Sequence, residues 1–106
     1  MTTAFKRGQT FAYAGQVLDG GNVADFTGWS ISSQLRTSGG RDLVQTLDAS
    51  FVDAATGVVS LKATAAETAA WPVELLVMDI RMQDPAGQVV ISETVTINVV
   101  ERVTYA

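Results

Sequence analysis

Residues 64–72 read TAAETAAWP, the single stretch with a helical signature in a chain whose other apolar residues alternate as they do in strands. Thr64 followed three residues later by Glu67 has the spacing of a capping box, in which the hydroxyl accepts from the Glu67 amide and the carboxylate accepts from the Thr64 amide. Ala65, Ala66, Ala69 and Ala70 favour the helix. Pro72 disfavours helical geometry at Trp71, so the segment closes after one or two turns. So short a helix is unstable alone, because nucleation dominates below roughly 12 residues, and packing through Trp71 has to hold it. Glu67 is thereby assigned to folding.

Around this helix the chain reads as strands and turns. Residues 10–18 place Phe11, Tyr13 and Val17 on one parity and end at Asp19, Gly20, Gly21 and Asn22, a well-signalled turn. Residues 23–27 read as a short extended crossing. Trp29, Ile31, Ser33 and Leu35 alternate with Ser30, Ser32, Gln34 and Arg36, the clearest half-buried strand, and Ser38, Gly39, Gly40 and Arg41 join it to residues 42–47 as a hairpin. Residues 49–52 and 58–63 flank DAATG as a second hairpin, with Gly57 where a left-handed backbone is needed and with Val59, Leu61 and Ala63 on one face.

After the helix, Leu76, Met78, Ile80 and Met82 alternate with Val77, Asp79, Arg81 and Gln83 as far as the turn Asp84, Pro85, Ala86, Gly87. The last strand spans residues 88 to 103, with Val89, Ile91, Val95, Ile97 and Val99 on one parity. Glu93 interrupts that parity, either as a bulge that shifts register, the favoured reading, or as a strand end where the carboxylate meets solvent. About seven strands joined by Gly- and Asp-rich turns predict an all-β, antiparallel sandwich, its two sheets bridged by the short helix.

A length of 106 residues suits one domain, and residues 1–106 read as one sandwich with short N- and C-terminal arms. Hydrophobic residues make up 47% and charged residues 17%, which excludes disorder and leaves a sparsely charged surface for partners to cover. A net charge of -4 with seven Lys plus Arg argues against a nucleic-acid groove. The chain has no cysteine and no histidine, which removes thiolate chemistry, the usual general base and the commonest transition-metal ligand. No apolar run suits a signal peptide or a membrane helix, so synthesis in the cytoplasm is expected, without membrane attachment.

Residues with chemical potential have plainer readings. Asp42, Asp48 and Asp53 lie near turns and offer oxygen ligands for calcium, but match no EF-hand spacing, and turn aspartates ordinarily bond their own backbone. Asp79 and Glu93 suit the carboxylate pair of a glycosidase, yet with Arg81 nearby they also suit an exposed strand face of mixed charge. The glycines at 20, 21, 39 and 40 form no phosphate loop. Trp29 and Trp71 have the rings of sugar-stacking platforms, but their positions favour core packing. No residue is assigned a catalytic, cofactor-binding or metal-binding role.

The blocks FKRGQTF, DFTGWSISSQLR, DAATGVVSL, TAAETAAWP and DPAGQVV together resemble small bacteriophage and prophage structural proteins. The layout is similar to the immunoglobulin-like N-terminal domains of siphophage baseplate upper proteins. Arg7, Gly8, Thr10 and Phe11, with Asp25, Thr27, Gly28 and Trp29, carry most of the likeness. The resemblance implies an immunoglobulin-like β-sandwich serving, without enzymatic activity, as a virion component: a tail or baseplate adaptor, or a head decoration or cement subunit. It would be made in the host cytoplasm and reside in the virion. Its partners would be other virion proteins and copies of itself in a symmetric assembly, with no cofactor, nucleic acid or membrane. The arms, residues 1–8 and 102–106, would lie on neighbouring subunits, by strand addition among other routes, which makes Phe5, Lys6, Arg7, Arg102 and Tyr105 the candidate interface. The alternative is a carbohydrate-binding or host-adhesion module, and a third reading is a small hydrolase using Asp79 and Glu93.

Overall fold

The computed structural model describes residues 2–104. The fold is all-β, with one four-residue helix. The strands are β1 (Thr2–Lys6), β2 (Phe11–Gln16), β3 (Leu18–Asp19), β4 (Asn22–Val23), β5 (Ser30–Thr37), β6 (Leu43–Thr46), β7 (Asp48–Asp53) and β8 (Val58–Ala63). After α1 (Ala65–Thr68) come β9 (Leu75–Gln83), β10 (Val89–Ile91) and β11 (Val95–Val100). The larger sheet has the order β1-β11-β9-β5-β6, with β10 also paired to β9, and the smaller has the order β2-β8-β7. The short hairpin β3–β4 turns through Gly20 and Gly21.

Strand periodicity sets the core. Leu76, Met78, Ile80 and Met82 of β9 are buried, as are Leu35 of β5 and Ile97 and Val99 of β11; Phe11, Val59, Leu61 and Ala63 come from the smaller sheet. These side chains form one cluster between the sheets. Ser33 shares the inward parity of β5 and is buried too, and its hydroxyl donates to the Asp79 carbonyl at 2.7 Å. A buried hydroxyl with a partner avoids the desolvation cost of an unpaired one.

The crossing from β8 to β9 carries the chain from the smaller sheet to the larger through α1. Its capping box is formed: Glu67 N–H donates to Thr64 Oγ1 at 3.2 Å, and Thr64 N–H donates to Glu67 Oε1 at 2.9 Å. Trp71 then turns inward to 1% exposure, with its ring 5.4 Å from Phe5 of the larger sheet and 5.6 Å from Phe11 of the smaller. Its indole N–H donates to Gln45 Oε1 at 3.2 Å. The helix is held by its tryptophan.

Three expectations are corrected. The described residues contain eleven strand segments instead of about seven, because residues 2–6 form a strand, two two-residue strands form at 18–23 and the last strand divides into β10 and β11. The division is a bulge: Ile91 stands opposite Arg81 and Val95 opposite Met78, so three residues face two. Glu93 is also exposed there, so the register shift and the emerging carboxylate coincide. The extra residue reverses parity, which leaves Val89 and Ile91 outward and packs Val90 against the core. Ser92 bridges the gap, its amide donating to the Ile80 carbonyl at 2.9 Å and its hydroxyl accepting from the Ile80 amide at 2.8 Å.

The third correction concerns residues 1–8, which were expected as an arm. Residues 2–6 form β1, paired with β11 from Thr2 opposite Thr96 to Lys6 opposite Val100, and this pair is parallel where an antiparallel sandwich was expected. Phe5 is 8% exposed and packs on Phe11 at 5.4 Å, so it belongs to the core and offers no interface. A large aromatic ring gains more from burial in its own fold than from waiting in water for a neighbour.

Candidate functional site

The parallel pairing of β1 with β11 brings the residues that follow the two strands, 7–8 and 101–102, together beside α1 and Trp71. Arg7 continues the ladder, its amide donating to the Val100 carbonyl at 3.0 Å. Its guanidinium forms an ion pair with Glu101, with Nε donating to Glu101 Oε2 at 2.9 Å, and Nη1 donates to the Trp71 carbonyl at 3.2 Å. Arg102 lies over Gly8, whose φ is +92°; a Cβ there would overlap the Arg102 guanidinium. Lys6 is exposed. Thus Lys6, Arg7 and Arg102 of the candidate interface do gather at one end, with Phe5 buried beneath them. Tyr105 lies outside the described residues.

Thr68 ties this end to the helix. It is fully buried; its hydroxyl accepts from the Gly8 amide at 2.9 Å and donates to the Gln9 carbonyl at 2.7 Å. Replacing Thr68 by valine keeps the shape and leaves two backbone groups without that partner, which is expected to cost about 1–3 kcal/mol. Thr68→Ser retains the hydroxyl and is expected to lose less. Urea unfolding of both variants checks the difference, and equal losses would show that the hydroxyl is not what matters.

A second feature escaped the sequence reading. A cleft of about 440 Å³ opens between β2 and the β10–β11 bulge. Tyr13 forms one wall, lying across Gly15, where an added Cβ would sit 3.2 Å from its ring. Met78 and Ile80 are its apolar floor, and Ile91, Ser92 and Glu93 line the opposite side. Asp79 borders it too, but on β9 it alternates with Met78 and Ile80, so its carboxylate stands on the outer face of the larger sheet and the pair considered from sequence is not brought into one cavity.

No protein-family profile and no curated protein matches this chain. Function therefore has to be argued from the geometry. Among the described residues no group of three or more His, Cys, Asp or Glu side chains is placed to hold a metal ion. Asp48 and Asp53 stand at opposite ends of β7, and Asp53 accepts from the Ala55 amide at 3.2 Å in its own turn. Trp71 is buried, and Trp29 is half-buried with its ring edge-on to Phe26 at 4.9 Å, so neither indole offers an open flat face. No described helix is long and apolar enough to cross a membrane.

Two exposed carboxylates ionise more readily than usual. Asp25 is held below its ordinary value of 3.8 by the Thr27 hydroxyl, which donates to Oδ1 at 2.6 Å, and by the Thr27 amide at 2.9 Å. Glu67 is held below 4.5 by the Thr64 amide and then by the Gln45 side chain, which donates to Oε2 at 2.9 Å. A carboxylate whose folded pKa lies below its unfolded value stabilises the fold above the unfolded pKa, and that contribution disappears as pH falls through the folded pKa. Glu67→Gln removes one such contribution. The variant is expected to lose less of its melting temperature than the parent between about pH 6 and pH 3. Parallel melting curves at the two pH values test this; equal losses would remove Glu67 from the acid response.

Proposed function

We propose that this chain is a non-enzymatic structural protein of a bacteriophage virion, a tail or baseplate adaptor or a head decoration or cement subunit, built as an immunoglobulin-like β-sandwich. The fold reading is supported by strand order. The smaller sheet, β2-β8-β7, has the connectivity of strands B, E and D of such a domain, and β11-β9-β5 that of strands G, F and C.

The observation that carries the role is the aliphatic surface left on the strands. Val89 and Ile91 of β10, Leu75 of β9 and Leu43 of β6 are 40–57% exposed on a chain with only 17% charged residues. Val89 and Ile91, outward side by side on β10, suit a contact with another protein. The partners are other virion proteins and further copies of the chain in a symmetric assembly, without cofactor, nucleic acid or membrane. Lys6, exposed at the end where Arg7 and Arg102 gather, offers a cation for such contacts.

Mass spectrometry of purified particles from the source tests the proposal. The polypeptide is expected at a stoichiometry fixed by the particle's symmetry; particles that lack it end the reading. A carbohydrate-binding or host-adhesion role has one observation in its favour, the Tyr13 wall of the cleft. Binding to any sugar on a glycan array, lost in Tyr13→Ala, would establish that role instead.

A further inference from the structure

We propose that the outer edge of β2, with the cleft beside it, is an acceptor site for an extended strand of a separate polypeptide, one with apolar residues at alternate positions and basic residues at its ends. The inference stands independently of a place in a virion.

The first observation is how the sheet edges differ. An unpaired edge templates association with other strands, and proteins guard such edges with charge, proline, bulges or brevity. β6 has four residues and a register shift against β5; β7 is bracketed by Asp48 and Asp53 and shifts against β8; β10 has three residues; β1 carries Lys6. β2 has none of these guards. Its six residues, FAYAGQ, contain no charge and no proline, and they pair with β8 in six consecutive positions without a shift.

The second observation is the space beside that edge. The larger sheet runs five strands across against three in the smaller, and β7 lies against β5. Phe11 at the start of β2 packs on Phe5 of β1, and the lining of the cleft takes residues from β2 and none from β8 or β7, so the cleft lies along the free side of β2. The 440 Å³ cleft opens at this side, walled by Tyr13 and floored by Met78 and Ile80. A cavity of that size also suits a small molecule. What selects an extended backbone is the row of main-chain donors and acceptors along the free edge of β2, which an added strand satisfies while its alternate side chains enter the cleft.

The third observation sets the occupant's charge. Glu93 is exposed beside Ile91 and Ser92 in the lining, Asp19 follows Leu18 at the rim, and no Lys or Arg is among the lining residues. Carboxylates alone at the mouth favour a strand flanked by cations and disfavour an acidic one.

The test titrates the full chain with the capped peptide Lys-Val-Thr-Val-Thr-Val-Lys and with its counterpart carrying Glu at both ends, following amide hydrogen exchange and affinity. The basic peptide is expected to slow exchange at those amides of residues 11–16 that point away from β8, by about tenfold or more at saturation. It is expected to bind about fivefold more tightly than the acidic one, a preference that shrinks in salt and reverses in Glu93→Lys, an exposed substitution outside the core. Unprotected β2 amides at millimolar peptide, or equal affinity for the two peptides, would overturn the proposal. So would shifts confined to Tyr13 with glucose as the probe, or a concentration-dependent dimer of the peptide-free protein that protects β2.

Discussion

Replacing Trp71 by alanine is expected to lower the unfolding free energy by about 3–5 kcal/mol. That is a large share of the roughly 5–15 kcal/mol by which domains of ordinary stability persist. The indole is 1% exposed and touches one aromatic ring from each sheet, Phe5 and Phe11, so its removal opens a cavity where the two layers and the β8–β9 crossing meet. Gln45 loses the donor to its side-chain oxygen as well. For a chain of this length the melting temperature should fall by at least about 12 °C. Urea unfolding followed by far-ultraviolet circular dichroism measures the loss directly. Trp71→Phe retains a buried ring and should lose much less, and a loss below about 1 kcal/mol for alanine would show that the site collapses without its anchor.

Gly57→Ala is expected to cost about 3 kcal/mol, as left-handed strain and steric overlap add. Gly57 is buried at the start of β8 with φ +77°, a conformation that suits glycine. The Cβ of an alanine would lie 2.5 Å from the Val17 carbonyl oxygen and 3.1 Å from the Phe26 ring. Neither neighbour yields readily. The Gly57 carbonyl accepts from the Val17 amide at 2.9 Å, and the Ala54 carbonyl accepts from the Phe26 amide at 2.7 Å, so the β7–β8 turn is stitched to the segments it would have to displace. Equilibrium unfolding checks the magnitude. A variant as stable as the parent would mean that the turn adjusts as a unit, and a crystal structure of that variant would show Val17 moved.

Local chemistry makes much of this fold legible in the sequence. The capping box of Thr64 and Glu67, the inward parity of β5 and β9 and the left-handed place of Gly57 all depend on residues close in sequence. Where the reading failed, the missing term was distant. β1 lies against β11, more than ninety residues away, and nothing in TTAFK by itself indicates which strand will receive it. Val90 packs inward because one extra residue at 92–94 reverses parity, an effect of pairing with β9 that alternation within β10 cannot reveal. Arg41 adopts φ +59° in a turn where Gly39 and Gly40 were the natural candidates, its carbonyl accepting from Arg36 Nη1 at 2.9 Å.

The candidate site divides in the same way. In the sequence Lys6, Arg7 and Arg102 belong to two separate arms, and they meet because β1 and β11 run side by side in the same direction. Arg7 also has a structural part. Arg7 closes the end of a ladder on Glu101 and the Trp71 carbonyl, and Phe5 went to the core. The cleft had no local signature, since its walls come from β2, β9 and the β10–β11 bulge. One signal was nevertheless present in the residues: FAYAGQ is a strand without a single charge in a chain that places charges on or beside its other edges.

The parallel register of β1 and β11 also governs how the molecule bears load. Tension entering at Thr2 and leaving beyond Val100 pulls the two strands past each other lengthwise, so the bonds between them share the force and must fail together. An antiparallel pair loaded at one end would open one bond at a time. The Arg7–Glu101 ion pair lies at the end of that ladder and would part along with it.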